Sequence, residues 1–171
     1  RIMRIERELT IEAAPEEVWR ILADDYEKVG EWARAVTSSA PNADAAPLPG
    51  ATVGGRVCSA SIGEVTETIR VFDAEQKVLA YDAQSKAMPF FVRNLSGNWT
   101  IVPSGGVSKV GLQFEADLMA PFSALMGWVM KRQFRTAIDD TLEDLKLYAE
   151  TGEVHPDKAR ALAAMSQAQP A

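Results

Sequence analysis

The sequence of 171 residues has the length of a single domain. Its 18 Lys and Arg residues against 24 Asp and Glu residues give a net charge of −6, and no dense basic stripe is present, so no nucleic acid is expected as a partner. The only cysteine, Cys58, excludes an intramolecular disulfide and a multi-cysteine zinc site, and no apolar run is long enough to cross a bilayer. These features predict a cytoplasmic protein.

The first part of the chain predicts one strand followed by two short helices. Residues 3–13 alternate apolar and polar side chains, which is the period of a half-buried strand. Pro15 can occupy the first position of a helix, with Glu16 and Glu17 beside the positive end of its dipole. We therefore expect a helix over 15–23, a second short helix over 26–31, and extended chain over 32–39.

The middle of the chain predicts an antiparallel meander. Five β-rich segments, 52–61, 64–73, 77–86, 90–102 and 107–119, are separated by short connections that carry turn residues. A parallel arrangement would need a crossover helix between successive strands, and the connections are too short to hold one.

After Pro121 the apolar residues recur with a helical period to about Thr151, and Gly152 is placed to end the helix. We expect one domain over 3–151 and a C-terminal tail over 152–171, with a short helix at 158–165 and frayed chain elsewhere. The predicted inward stripe of the long helix consists of Leu125, Val129, Ala137, Ile138, Thr141, Leu142, Leu145 and Tyr148. The acidic cluster of Asp139, Asp140, Glu143 and Asp144 is expected to lie in solvent and to bind no metal.

Two local sequences resemble the SRPBCC superfamily, which includes START, Bet v 1 and polyketide cyclase proteins. IEAAPEEVWRILADDYEKVGEW is similar to the opening of that family, and GGRVCSASIGEVTETIRVFDAEQKVLAYDA is similar to its central hairpins. The resemblance implies an α+β helix-grip fold, in which a curved antiparallel sheet of about seven strands wraps a long C-terminal helix. It also implies a cavity between sheet and helix, which different members use to carry lipids, to sense hormones, or to cyclise and dehydrate polyketides.

A charged pair is predicted on the inner face of the hairpin around Ile62 and Gly63. A two-residue loop at these positions places Cys58 opposite Glu67, and Arg56 diagonal to Glu67 on the same face. That face also carries Ala60, Val65, Ile69 and Val71. A carboxylate among aliphatic side chains must be paired or protonated, so Arg56 and Glu67 form either an internal ion pair or a polar anchor for a ligand.

Tyr81 has the parity of its apolar neighbours and can extend a hydroxyl into the cavity, unless it is a core aromatic. Trp32 and Trp99 are expected in the cavity wall or the core, while the inward parity of residues 90–102 stays open. The predicted ligand-binding residues are Trp32, Arg56, Cys58, Glu67, Ile69, Tyr81, Trp99, Met130, Ala137 and Thr141. His155, the sole histidine, lies in the tail, so no histidine-dependent nucleophile and no cofactor are expected.

The segment Leu118 to Met130 is apolar on nearly all sides and is followed by Lys131 and Arg132. Such a helix start must be covered by the sheet, by a second copy in a homodimer, or by a transient membrane contact. The sequence thus leaves three hypotheses for function. The first is binding of a small hydrophobic molecule, the second is a cyclase or dehydratase in which Glu67 or Tyr81 transfers protons, and the third is a protein-interaction module using the apolar helix start.

Overall fold

The structure is a computed structural model that describes residues 1–168. Seven strands form one sheet: β1 Ile2–Ile11, β2 Val36–Pro41, β3 Gly55–Ala60, β4 Gly63–Asp73, β5 Val78–Gln84, β6 Val92–Ser104 and β7 Val107–Leu118. The helices are α1 Pro15–Trp19, which continues as a π-helical turn Arg20–Asp24, a 3₁₀ helix Tyr26–Glu31, α2 Phe122–Thr151 and α3 Pro156–Ala168. The predicted order of strand, two short helical segments, meander and long helix is confirmed.

The sheet has the order β1-β7-β6-β5-β4-β3-β2, and every neighbouring pair is antiparallel. Residues 12–35 connect β1 at one edge of the sheet to β2 at the other edge by way of the short helices, and β1 pairs with the last strand, β7. Together with α2 this is the predicted helix-grip fold. Gly105 and Gly106 have φ values of 61° and 89°, which the two-residue turn between β6 and β7 requires.

The register of the β3–β4 hairpin differs from the prediction by two residues. The loop consists of Ser61 and Ile62, because Gly63 adopts a φ of 111° as the first residue of β4. Arg56 therefore lies directly opposite Glu67 rather than diagonal to it, and Cys58 lies opposite Val65. Since side chains alternate with a period of two, the shift leaves the inner face with the predicted residues.

The placement of Val71 on that inner face is wrong. The β4–β5 register shifts between Ile69 and Val71, so Arg70 is the extra residue of a β-bulge. Val71 is 43% exposed, and Phe72 turns inward instead. The centres of the Phe72 and Trp19 rings are 5.2 Å apart. A second irregularity near Asn94, whose φ is 51°, directs Leu95, Trp99 and Ile101 of β6 inward.

The long helix matches its predicted bounds and ends at Gly152 with a φ of 74°. Two assignments on its surface are wrong. Leu125 is 66% exposed rather than inward, because the first turns of α2 extend beyond the cover of the sheet. Asp144 is buried rather than solvated, since it accepts hydrogen bonds at 2.8 Å from the backbone N and from Nε of Arg34.

The segment after Gly152 forms a helix longer than the one predicted at 158–165, so residues 156–168 are not frayed. Its Lys158 is buried and donates to the carbonyl of Val36 at 2.6 Å, which ties α3 to β2. The last three residues of the predicted tail lie outside the described part. Among the described residues, no helix is both long and apolar enough to cross a membrane.

Candidate functional site

A cavity of about 200 Å³ lies between the concave face of the sheet and α2. Strands β3 to β7 supply one wall, and the 3₁₀ region and α2 supply the other. Its surface is mainly apolar, with Leu95 and Phe114 from the sheet and Phe134 and Ile138 from the helix. Ile62 at the tip of the β3–β4 hairpin and Ala137 on α2 both line the cavity and are exposed to solvent, so they mark its opening.

Seven predicted ligand-binding residues line this cavity: Arg56, Cys58, Glu67, Tyr81, Trp99, Ala137 and Thr141. The other three do not line it. Trp32 is buried against Tyr148, with the rings stacked at 6.3 Å, while Ile69 and Met130 are buried elsewhere. Sequence reasoning missed much of the remaining wall, because it leaves the parity of β6 open and does not place Phe134 in the inward stripe.

The polar part of the wall is built around the Glu67 carboxylate. Arg56 donates from Nε to Oε2 at 2.5 Å and from Nη2 to Oε1 at 3.4 Å. The Tyr26 hydroxyl donates to Oε1 at 3.2 Å, and the Cys58 thiol lies 3.6 Å from Oε2. Both carboxylate oxygens therefore have partners, which is the condition for burying a charge without a large desolvation cost.

Arg56 is held on a second side by Tyr26. Its Nη1 donates to the Tyr26 carbonyl at 2.8 Å, and its guanidinium carbon lies 3.9 Å from the centre of the Tyr26 ring, a cation–π contact. Sequence reasoning missed Tyr26 because it lies in the 3₁₀ connection, where no alternation marks the inward side. Its aromatic character in an otherwise polar stretch, DDYEK, was the only available signal.

Burial and charge control the protonation of this cluster. Burial raises the pKa of Tyr26 and of Tyr81 well above the usual value for tyrosine, and it raises the pKa of the Cys58 thiol to about 12. Burial alone would lower the pKa of Arg56, but the adjacent Glu67 carboxylate raises it above its ordinary value. At neutral pH the site therefore holds three protonated donors beside the Arg56–Glu67 ion pair.

Tyr81 differs from the rest of the cluster, since its hydroxyl makes no hydrogen bond to any residue in 1–168. The ring lies across Gly97, its partner in the β5–β6 register, where an added Cβ would collide with the ring carbons and the hydroxyl. The glycine thus provides the space that lets Tyr81 line the cavity. No group of His, Cys, Asp or Glu side chains in the described chain is arranged to hold a metal ion.

Comparison with solved structures shows the same fold in distant proteins. A START superfamily protein from Mycobacterium smegmatis has a TM-score of 0.69 at 12% identity, over 88% of this chain and 99% of that one. A protein from Thermus thermophilus has a TM-score of 0.64 at 20% identity, over 95% and 99% of the two chains. Ara h 8.0201 has a TM-score of 0.63 at 14% identity, with the same shares covered.

Comparison with curated proteins finds no match. Residues 3–150 match the family described as polyketide cyclase / dehydrase and lipid transport. This match spans the sheet, the cavity and nearly all of α2, and it agrees with the resemblance noted in the sequence. The chain therefore belongs to the polyketide cyclase / dehydrase and lipid transport family, within the SRPBCC superfamily.

Proposed function

We propose that the protein binds a small, uncharged hydrophobic molecule in the cavity between the sheet and α2. The observation that carries the proposal is the cavity itself, which is lined mainly by apolar side chains and contains one polar cluster. Ligand sites in proteins typically combine an apolar wall with a few polar groups that fix orientation. A dry cavity of about 150 Å³ accepts benzene, so about 200 Å³ suits a ligand of one or two rings.

The closed ion pair supports an uncharged ligand. A carboxylate ligand would have to compete with Glu67 for Arg56, and a cationic ligand would have to compete with Arg56 for Glu67. Either exchange would leave one buried charge without its partner, which is costly. A neutral ligand leaves the hydrogen bonds between Arg56 and Glu67 intact.

The hydroxyl of Tyr81 supports a ligand that carries a hydrogen-bond acceptor. Its raised pKa keeps the proton on the oxygen at neutral pH, and it has no acceptor among the described residues. A ketone or ester oxygen beside it would satisfy that donor at little entropic cost, because Gly97 and the ring packing already fix its orientation.

The cyclase or dehydratase hypothesis then depends on Tyr81 rather than on Glu67. Both oxygens of Glu67 accept hydrogen bonds from residues of the protein, so this carboxylate is poorly placed to exchange a proton with a ligand. Tyr81 retains a free hydroxyl, and in an enzyme it would be the group that donates a proton or polarises a carbonyl. Binding is the common requirement of both hypotheses and is the property to test first.

The test is a protein-observed NMR titration with acetophenone and with benzoate, which have nearly the same shape but differ in charge. Acetophenone should shift amides that border the cavity, such as those of Leu95 and Ile138, and benzoate should not. Ala137→Trp should block the opening and abolish these shifts, whereas Thr136→Trp, the neighbouring exposed position, should retain them. Tyr81→Phe should weaken acetophenone binding about fivefold through loss of one hydrogen bond.

Three results would contradict the proposal. If benzoate bound as tightly as acetophenone, the Arg56–Glu67 ion pair would not be selecting an uncharged ligand. Unchanged acetophenone binding in Ala137→Trp would show that the ligand lies outside this cavity. An absence of cavity shifts with acetophenone, together with an interior that native mass spectrometry finds empty after purification from the cells of origin, would reject binding in the cavity.

A further inference from the structure

The start of α2 and the β5–β6 loop form an exposed apolar surface, which we call the apolar patch and define as Phe90, Leu125, Met126 and Trp128. Phe90 is 72% exposed and Trp128 is 70% exposed. Beneath them the Phe91 and Phe122 rings stack at 4.7 Å, so the loop and the helix form one continuous surface. The sheet therefore does not cover these side chains. A homodimer contact and a membrane contact are the two remaining ways in which the segment could be covered.

The charges around the apolar patch differ in kind from those of the rest of the chain. Residues 83–95 and 119–138 contain five Lys and Arg and no Asp or Glu, whereas the remaining residues carry 13 Lys and Arg against 24 Asp and Glu. We call these five the basic collar: Lys86, Arg93, Lys131, Arg132 and Arg135. Within residues 1–168, their side chains are the only Lys and Arg side chains without an ion pair, apart from the buried Lys158 and from Arg1, whose ion pair with Asp117 is made by the terminal ammonium.

The apolar patch and the basic collar share one helix face. Leu125, Trp128, Arg132 and Arg135 follow at intervals of three, four and three residues, which places them on the same side of α2. All four are exposed. This outward face carries leucine and tryptophan on the first turns of the helix and unpaired arginines on the turns that follow. Helices that lie in a membrane interface have the same arrangement.

We infer that this surface docks on an anionic lipid bilayer, with the apolar patch in the interfacial region and the basic collar against the headgroups. Charge complementarity favours this occupant over a second copy of the chain. A symmetric dimer through the patch would bring two basic collars together, and like charges at an interface oppose association. The docking does not depend on whether the cavity holds a ligand.

The experiment is vesicle sedimentation of the full chain with an equimolar mixture of phosphatidylcholine and phosphatidylglycerol, compared with phosphatidylcholine alone. The mixed vesicles should bind more of the protein, and added salt should reduce that binding. Arg132→Gln with Arg135→Gln should weaken binding about 25-fold, since each basic residue near an anionic surface contributes about fivefold. Leu125→Ser with Trp128→Ser should weaken it more than about tenfold.

Controls remove the same charge, or exposed apolar side chains, elsewhere on the surface. Lys28→Gln with Arg160→Gln lowers the net charge equally but leaves the basic collar intact. Val71→Ser with Val102→Ser removes exposed apolar side chains away from the patch. Because every substituted residue is at least partly exposed, unchanged thermal unfolding should accompany each variant.

The inference is overturned if the patch and collar variants sediment like the original protein, if the controls lose binding equally, or if neither vesicle binds. Analytical ultracentrifugation covers the remaining alternative. The surface would be assigned to a second copy instead if three results were found together. The original protein forms a dimer without lipid, it does not bind vesicles, and its dimer dissociates in the variant Leu125→Ser with Trp128→Ser.

Discussion

Two buried arginine–carboxylate pairs stabilise different parts of this molecule, and only one of them borders the cavity. Arg34 and Asp144 connect the chain after the 3₁₀ helix to α2, and the Asp144 carboxylate accepts from both backbone and side chain of Arg34. Arg56 and Glu67 face each other across β3 and β4 at the polar end of the cavity. The first pair fixes how two elements pack, whereas the second also determines what kind of molecule the cavity can accept.

The surroundings of the two pairs explain this difference. Around the Arg34–Asp144 pair the additional groups are charged: Arg34 also lies 3.7 Å from the Asp140 carboxylate and 3.4 Å from that of Glu143, and the buried Lys158 donates to a carbonyl nearby. Near Glu67 they are a phenol and a thiol that stay protonated because burial raises their pKa values. An ion pair surrounded by neutral donors presents to the cavity a polar wall without net charge.

The largest effect is expected from Glu67→Gln, which leaves the Arg56 guanidinium buried without a counter-charge. Breaking a buried pair from one side typically lowers the free energy of unfolding by about 3–5 kcal/mol. Urea denaturation should show this loss, and the double variant Arg56→Met with Glu67→Leu should recover much of it, since an apolar pair of similar volume removes both charges. A loss below about 1 kcal/mol for Glu67→Gln would mean that water already solvates Arg56.

Cys58 should be about 500-fold less reactive toward iodoacetamide at pH 9 in the folded protein than in urea. Its thiol has a pKa raised by burial from 9.0 to about 12, and only the thiolate reacts. The same shift adds stability that is fully present below the unfolded pKa and is lost as the pH rises from about 9 toward 12. Mass spectrometry of the alkylated protein measures the rate, and comparable rates in both states would contradict the buried donor at Glu67.

A smaller effect is expected from Asp144→Asn, about 2 kcal/mol of unfolding free energy, because it removes charge-assisted bonds to Arg34. The Arg34 side chain is 20% exposed and can be hydrated, whereas that of Arg56 is 12% exposed. Acetophenone shifts in the NMR titration should remain as in the original protein, unlike those of Glu67→Gln. Loss of acetophenone binding in Asp144→Asn would show that the two pairs are not independent.

The sequence predicted the cavity pair but not the packing pair, and the reason is the type of pattern each follows. Arg56 and Glu67 lie on strands, where the period of two survives an even register error, so their shared face was correct although their pairing was not. Asp144 lies on a helix next to exposed acidic residues. Its carboxylate is covered by Arg34 from a loop distant in the sequence, and such a contact produces no periodic pattern in the sequence of the helix. Local sequence cannot report a partner that lies 110 residues away.

The β-bulge at Arg70 shows a second limit. The alternation that placed Ile69 inward also placed Val71 inward, and both residues are apolar, so the sequence offers no indication that one residue is inserted there. Bulges change parity without changing composition. The exposed start of α2 is a different case, because the sequence shows its apolar character and leaves only its cover undetermined.

The separation of charge along the molecule has a consequence for encounters in solution. A chain with a net charge of −6 is repelled as a whole by an anionic surface, yet its unpaired cations are concentrated at one end. The field of such a surface, which extends about 8 Å at physiological salt, therefore exerts a torque before contact. Encounters are therefore favoured when the start of α2 faces the surface.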